Sequence, residues 1–369
     1  MFTFKYADEQ IKSRDIMIAV SSMTIGVGVL TFPRALAEST KFSDGWVSVM
    51  LSGIIAILFT WVIAKIASKF PNQTFLSYSS SLVTKPVAIC LTLLFAIQGI
   101  ALTSFEVRMI TNISHQYLFD RTPVEVVALT FLLVVVYSVS GERVGLFRLN
   151  AMFLPIIFIT TGLLILFSIG YMKVGNVLPV FTTDVKGYLQ GAWNSTLSFT
   201  GVGILFFYMA LVKEPKKAPG KAAFGMFWAV SLYLFVYLTC IAVFGQPATE
   251  VIRLPFIELT KSVEIPGGFF ERMESIFFVI WIMAIFTTTM MAFDVTVYAL
   301  NSIFPKVKKV KIIFILSPII FLISLIPNNF LEISKFGDWV SYSGWGLSGM
   351  VTVLLWVMYG IRGGKRHGE

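Results

Sequence analysis

Ten stretches of roughly twenty mostly apolar residues alternate with short polar segments along this chain, and that is the length at which an α-helix crosses a bilayer core. They run over 15–37, 46–68, 86–113, 124–140, 149–172, 191–212, 222–244, 270–303, 311–326 and 339–361. The pattern predicts an all-α integral membrane protein of about ten spans, a single membrane domain over residues 1–369. Two connecting segments are longer, 173–190 and 245–269, and the second carries Pro247, Pro255 and Pro266 with room for a short helix between them.

Orientation follows from Lys and Arg in the short loops. With the N-terminus inside, the inner segments hold clusters such as Lys12 and Arg14, Lys213 to Lys221, and Lys306 to Lys311. The outer segments hold scattered single charges such as Lys41, Arg121 and Arg253. The excess lies inside, and an even number of spans returns the C-terminus to the cytoplasm. The first apolar run begins at Ile16 after a mixed, charged start and has no small-residue cleavage site, so it reads as a span rather than a signal peptide.

Composition agrees. Only 13% of the residues are charged, about half the share typical of a soluble domain, and 15% are aromatic. The net charge of +9 is spread in short clusters beside apolar runs, where lipid headgroups account for it, so nucleic acid is not an expected partner. Cys90 and Cys240 lie within apolar segments and share no ligand spacing with His115 or His367. Neither a cofactor nor a metal is expected. No nucleophile–base–acid set can be assembled, so enzymatic activity is not expected either.

The first span contains Gly26-Val27-Gly28-Val29-Leu30 and the sixth contains Thr200-Gly201-Val202-Gly203-Ile204-Leu205. The recurrence falls five spans apart, dividing the chain into repeats at 15–172 and 191–361, and an odd number of spans per repeat forces the two to be inverted. Each Gly costs about 1 kcal/mol relative to Ala in a helix interior, and Pro33 follows the first pair. Both helices are therefore predicted to break near mid-membrane. Backbone groups freed by such a break must face protein, water or a ligand. Freed N–H groups suit a carboxylate, and freed carbonyls suit an ammonium or a cation. Candidate ligand-binding residues are Gly26, Val27, Gly28, Thr200, Gly201 and Gly203.

Polar residues inside spans add to this set. Glu106 and Arg108 sit in the third span, about 30 Å along the helix from Lys85 at 1.5 Å per residue. Two apart, they do not face each other, and each is expected to pair with another helix, either as a structural ion pair or in gating. Gln98 and Leu102, one turn apart, can line the site beside the broken helices. Thr287 and Thr288, within a threonine triplet of the eighth span, fall near mid-depth, where they either bond the preceding turn or face the cavity. Asp294, two turns further in, reads as a buried proton carrier or a residue snorkelling to the inner surface. The fifth span has no ionisable core residue, which weakens a proton-coupled mechanism.

The run Gly26-Val27-Gly28-Val29-Leu30-Thr31-Phe32-Pro33-Arg34-Ala35-Leu36 resembles the first span of the spore germination permeases, the B subunits of GerA-type germinant receptors. Ser104-Phe105-Glu106-Val107-Arg108, Arg121-Thr122-Pro123, the Lys-rich turn after the sixth span, and Glu271-Arg272-Met273-Glu274-Ser275 followed by Trp281 and Thr287-Thr288 extend the likeness over nearly the whole chain. The resemblance implies membership of the amino acid–polyamine–organocation superfamily and its five-plus-five inverted-repeat, LeuT-like fold. It implies a place in the inner membrane of the bacterial endospore, with an A subunit and a lipoprotein C subunit as partners. It also implies a small-nutrient ligand, typically an amino acid, held among the first, third, sixth and eighth spans at Gly26, Gln98, Leu102 and Thr288. A secondary amino acid transporter and a ligand-gated ion or water conduit are the alternatives.

Overall fold

The computed structural model describes residues 10–262 and 273–363. Pro266, Glu271, Arg272 and His367, which entered the sequence reading, lie outside the described residues.

Every predicted span appears as a helix or a broken pair. The first is α1 (Ser13–Thr24) and α2 (Gly28–Ala37), bent by 56° at the break. The second is α3 (Gly45–Ala67). A short α4 (Phe75–Leu82) precedes the third span, α5 (Lys85–Tyr117). α6 (Val124–Ser140) and α7 (Arg143–Ser168) follow. The 173–190 segment contributes a single turn, α8 (Val174–Val177), and the start of α9 (Val185–Ser198). After the second break come a 3-10 turn (Val202–Ile204), α10 (Leu205–Tyr208) and a closing turn (Met209–Leu211). The remainder is α11 (Ala218–Phe244), α12 (Gln246–Val251), α13 (Pro255–Ser262), α14 (Met273–Ile303), α15 (Lys309–Leu325) and α16 (Phe330–Gly363).

Six helices among the described residues are long and apolar enough to cross a membrane, and the bent α1–α2 pair makes a seventh. α6 and α15 have 17 residues each, and the sixth span is divided into short pieces, so these three fall below a strict length test although each occupies its expected place.

Two helix starts lie earlier than the hydropathy suggests. α7 begins at Arg143, and α16 begins at Phe330, where Asn329 Oδ1 accepts the Glu332 N–H at 3.0 Å and the Glu332 carboxylate accepts the Asn328 N–H at 2.8 Å. This reciprocal cap stabilises polar first turns that an apolar count passes over. α4 was not predicted. Thr74 caps it by accepting the Ser77 N–H, and Phe75, Tyr78, Ser79 and Leu82 form its buried face at i, i+3, i+4 and i+7. That face supports the second half of the sixth span: the Tyr78 hydroxyl donates to Phe206 O at 3.0 Å, and the Phe75 ring meets Phe95, Phe206 and Phe207.

α5 and α14 run side by side, and α11 packs against α1 and α3. One end of the bundle is closed by backbone and charge. Ile11 donates its N–H to Leu211 O at 2.8 Å and accepts the Lys213 N–H at 2.9 Å, pairing the segment before α1 with the segment after α10. Nearby, Asp294 is fully buried; its Oδ2 accepts Arg143 Nε–H at 2.7 Å and the Tyr208 hydroxyl at 3.0 Å. Asp294 therefore does not snorkel: α7 and α10 bring a cation and a hydroxyl to it. At the other end, Asp44 accepts the N–H groups of Phe181, Thr182 and Thr183 at 2.6, 2.6 and 2.8 Å, fastening the 173–190 segment to the turn before α3.

Candidate functional site

The two breaks each span three residues, Ile25 to Val27 and Phe199 to Gly201, and coincide with the repeated Gly-Val-Gly strings. In the first, side chains from other helices satisfy carbonyls that α1 leaves open. Thr288 Oγ1 donates to Ser22 O at 3.0 Å. The Tyr233 hydroxyl lies 3.0 Å from Thr24 O and 3.4 Å from Ser198 O, so it meets the last turns of both interrupted spans. Across the break the Glu106 carboxylate stands against the backbone at Gly26, where a Cβ would lie 3.5 Å from its Oε1. A negative group beside the first N–H groups of α2 also suits the helix dipole.

Glycine is required at both breaks for different reasons. Gly201 has φ +98°, a left-handed conformation that side chains disfavour. At Gly26 the limit is space: a Cβ would stand 2.8 Å from Thr288 Oγ1 and 3.5 Å from Glu106 Oε1.

Beside the first break lies a cavity of about 530 Å³, within the range of small-molecule sites. Its deep wall is formed by Met23, Thr24, Gly26, Val27, Leu102, Glu106 and Thr288, with Ser198 from the end of α9 and Thr200 from the second break. It opens past Arg34, Glu38 and Arg253, at the end of the bundle opposite the Ile11 pairing. Arg34 is tied to Glu38 at 2.8 Å, and the Arg253 guanidinium lies over the Phe330 ring.

Of the residues singled out in the sequence, Gly26, Val27, Gly28, Leu102, Thr200, Thr288 and Glu106 meet at this cavity. Gln98, Gly201, Gly203, Thr287 and Arg108 are not in its wall. Gln98 is engaged with α16, donating from Nε2 to Val340 O and accepting from Ser343 Oγ, each at 2.7 Å. Gly201 packs on Met23, and Gly203 on Ser348 and the Phe95 ring. Thr287 donates to Ala284 O in its own helix at 2.7 Å, the backbone-bonded alternative. Thr288 does both, lining the cavity while bonding α1.

Glu106 and Arg108 form no ion pair with each other or with another charged group among the described residues, contrary to the expectation that each finds a partner on a neighbouring helix. Both are buried, and Glu106 Oε2 and Arg108 Nε lack a hydrogen-bond partner among the described residues. The sequence reading also missed the wall contributed by α16. Ser334, Gly337, Asp338 and Ser341 line the cavity at i, i+3, i+4 and i+7, a small and polar stripe on one helix face that was available as a signal.

Comparison with known proteins places these features. The family model for spore germination proteins, the spore permeases, matches residues 10–333. Spore germination protein GerLB of Bacillus cereus is 42% identical over 370 residues, covering 100% of this chain and 98% of that protein. YndE of Bacillus subtilis (strain 168) is 32% identical, with 95% and 96% covered, and spore germination protein A2 of the same organism is 27% identical, with 88% of each covered. Among solved structures, MhsT in complex with L-phenylalanine superimposes with a TM-score of 0.75 at 15% identity, covering 95% of this chain and 89% of that one. A substrate-bound, Na+-coupled sialic acid symporter gives 0.69 at 12%, with 94% and 79% covered, and the nucleobase-cation symporter Mhp1 gives 0.66 at 14%, with 95% and 80% covered. At these identities the structural likeness speaks for the fold alone: a LeuT-like, five-plus-five inverted-repeat membrane fold with broken first and sixth helices. The repeated break, the apolar helices and the full-length match to GerLB together make this multi-pass membrane chain a member of the spore germination protein family.

Proposed function

We propose that this chain is the ligand-binding membrane subunit of a nutrient germinant receptor, that it binds a small solute, an amino acid, in the cavity beside the broken helices, and that it triggers germination with A-type and C-type partner subunits. The observation that carries this reading is a cavity of about 530 Å³ against the first break in a chain of this family. The site is set in the inner membrane of the endospore with both termini cytoplasmic, between five-helix repeats at 15–172 and 191–361.

The physical mechanism is a shift between two arrangements of the repeats. A ligand moves such an equilibrium only by its difference in affinity for the two states. The deep wall of the cavity comes from α1, α2, α5, α9 and α14, so a solute seated there touches elements of both repeats. Closure toward the break strengthens those contacts, and partner subunits read the resulting displacement.

A secondary transporter is the second reading, since solute movement would use the same broken helices and cavity. A solute conduit uses the same cavity. Germination of spores lacking this gene, complemented with the wild-type chain or with cavity variants and tested on an amino acid panel, examines the receptor reading. The expected result is a selective change of ligand potency. Concentrative uptake of labelled amino acid by the isolated chain in proteoliposomes overturns a receptor-only role.

A further inference from the structure

The cavity wall holds one buried carboxyl group that no side chain among the described residues answers. Glu106 is 4% exposed, and its Oε2 has no hydrogen-bond partner among the described residues. An ionised carboxylate offers about four lone-pair positions, and the other oxygen of this one, Oε1, stands against the backbone at Gly26. Gly26 stands beside it, and Met23, Thr24, Leu102 and Thr288 share the same cavity wall, none of them charged. The Thr24 hydroxyl donates to Val20 O at 2.9 Å and the Thr288 hydroxyl to Ser22 O at 3.0 Å, so each has spent its one proton elsewhere.

No cation of the described chain answers Glu106. Arg108 lies two positions along the same helix, on a different face and outside the cavity wall. The two guanidiniums that line the cavity are engaged near its mouth, Arg34 with Glu38 and Arg253 over Phe330. A carboxylate ionised in such a place is costly while unpaired, and one incoming cation relieves that cost with charge-assisted hydrogen bonds. Among the described residues no group of three or more His, Cys, Asp and Glu side chains stands ready for a metal ion. The carboxylate also takes the place beside the N-terminus of α2 that a ligand's own anion would otherwise occupy, and leaves a position for positive charge.

We infer that Glu106 is the specificity-determining residue of the cavity, receiving a primary ammonium group of the ligand on its carboxylate beside Gly26. This rests on the cavity being a solute site, as proposed above, and adds which chemical group the site selects. Binding then requires the amine, and a solute lacking it leaves the carboxylate unanswered.

The test uses the full-length chain purified in detergent and apparent affinities from ligand-dependent thermal shifts. The probes are L-alanine, L-valine and L-phenylalanine, their desamino counterparts propionate, 3-methylbutanoate and 3-phenylpropanoate, and D-glucose. At least one amino acid is expected to bind at least tenfold tighter than its desamino counterpart. Glu106→Gln is expected to remove that preference, and Glu106→Asp to restore part of it. Equal binding of an amino acid and its desamino acid, or binding of D-glucose in place of any amine, overturns the role of Glu106 and leaves the solute site standing. Binding of no probe overturns both readings. If Glu106→Gln does not yield folded protein, the paired comparison on the wild-type chain still decides.

Discussion

The Tyr233 hydroxyl stands 3.0 Å from the carbonyl oxygen of Thr24, the last residue of α1, and 3.4 Å from that of Ser198, the last residue of α9. One buried side chain of α11 thereby holds the ends of both interrupted spans. Its ring also meets Phe32 at 4.8 Å and Phe199 at 5.2 Å between centroids, so its position is fixed by packing as well as by hydrogen bonding.

Removal of that hydroxyl tests the relationship. Tyr233→Phe keeps the ring and strands a buried carbonyl, a loss of about 1–3 kcal/mol. Thermal unfolding in detergent is expected to move to lower temperature. Stability equal to wild type shows that the Thr24 carbonyl is answered in another way.

Substitution at the glycines separates space from conformation. Gly26→Leu drives a side chain into Thr288 and the cavity, and is expected to abolish the germination response while protein remains in the membrane fraction. Gly201→Ala places a Cβ at φ +98° and close to Met23, and is expected to cost about 1–2 kcal/mol in thermal stability. Gly145→Ala, where a Cβ meets open space, serves as the comparison and is expected to leave stability within experimental error. A normal dose–response curve for Gly26→Leu removes this end of the cavity from the ligand site.

The buried pair between Arg143 and Asp294 makes a third case. Truncating Arg143 leaves Asp294 with the Tyr208 hydroxyl and Lys309 Nζ at 3.8 Å, so the loss is expected to fall below the about 3–5 kcal/mol of a pair with no second partner. Arg143→Gln and Asp294→Asn are each expected to lower membrane abundance, and the double variant to recover part of it. Fully additive losses in a double-mutant cycle deny the coupling.

Asp44 supplies a pH dependence outside the spans. Burial pushes its pKa up, but the N–H groups of Thr183, Phe181 and Thr182 outweigh this and the net shift is downward. The folded value therefore lies below the unfolded one, near about 3.9. Its stabilisation is complete above the unfolded value and is lost as pH falls through the folded value. Asp44→Asn is expected to destabilise the chain at pH 7, with the gap from wild type closing as acid is added. A gap that stays constant down to the acid limit refutes the assignment.

Much of the fold was legible along the chain because each span carries its own apolar length, and a helix satisfies its backbone hydrogen bonds within itself. The breaks were legible for the same local reason: Gly-Val-Gly weakens a helix wherever it stands. α4 and the early start of α16 escaped because their polar caps and single buried faces are diluted in an apolar count. Gln98 was read toward the cavity from its depth alone, whereas its rotation and the approach of Ser343 and the Val340 carbonyl turned it to α16.

The sequence by itself determined that this is a helical membrane protein of the spore germination family, with spans interrupted at Gly26 and Gly201. Only tertiary structure decided that Glu106 has no cationic partner among the described residues while Asp294 has Arg143, that Tyr233 serves two helix ends, and that α16 completes the cavity. The reason is one of range: hydropathy and helix propensity act within a few residues, whereas the partner of a buried polar group is set by which helices come together across the bundle.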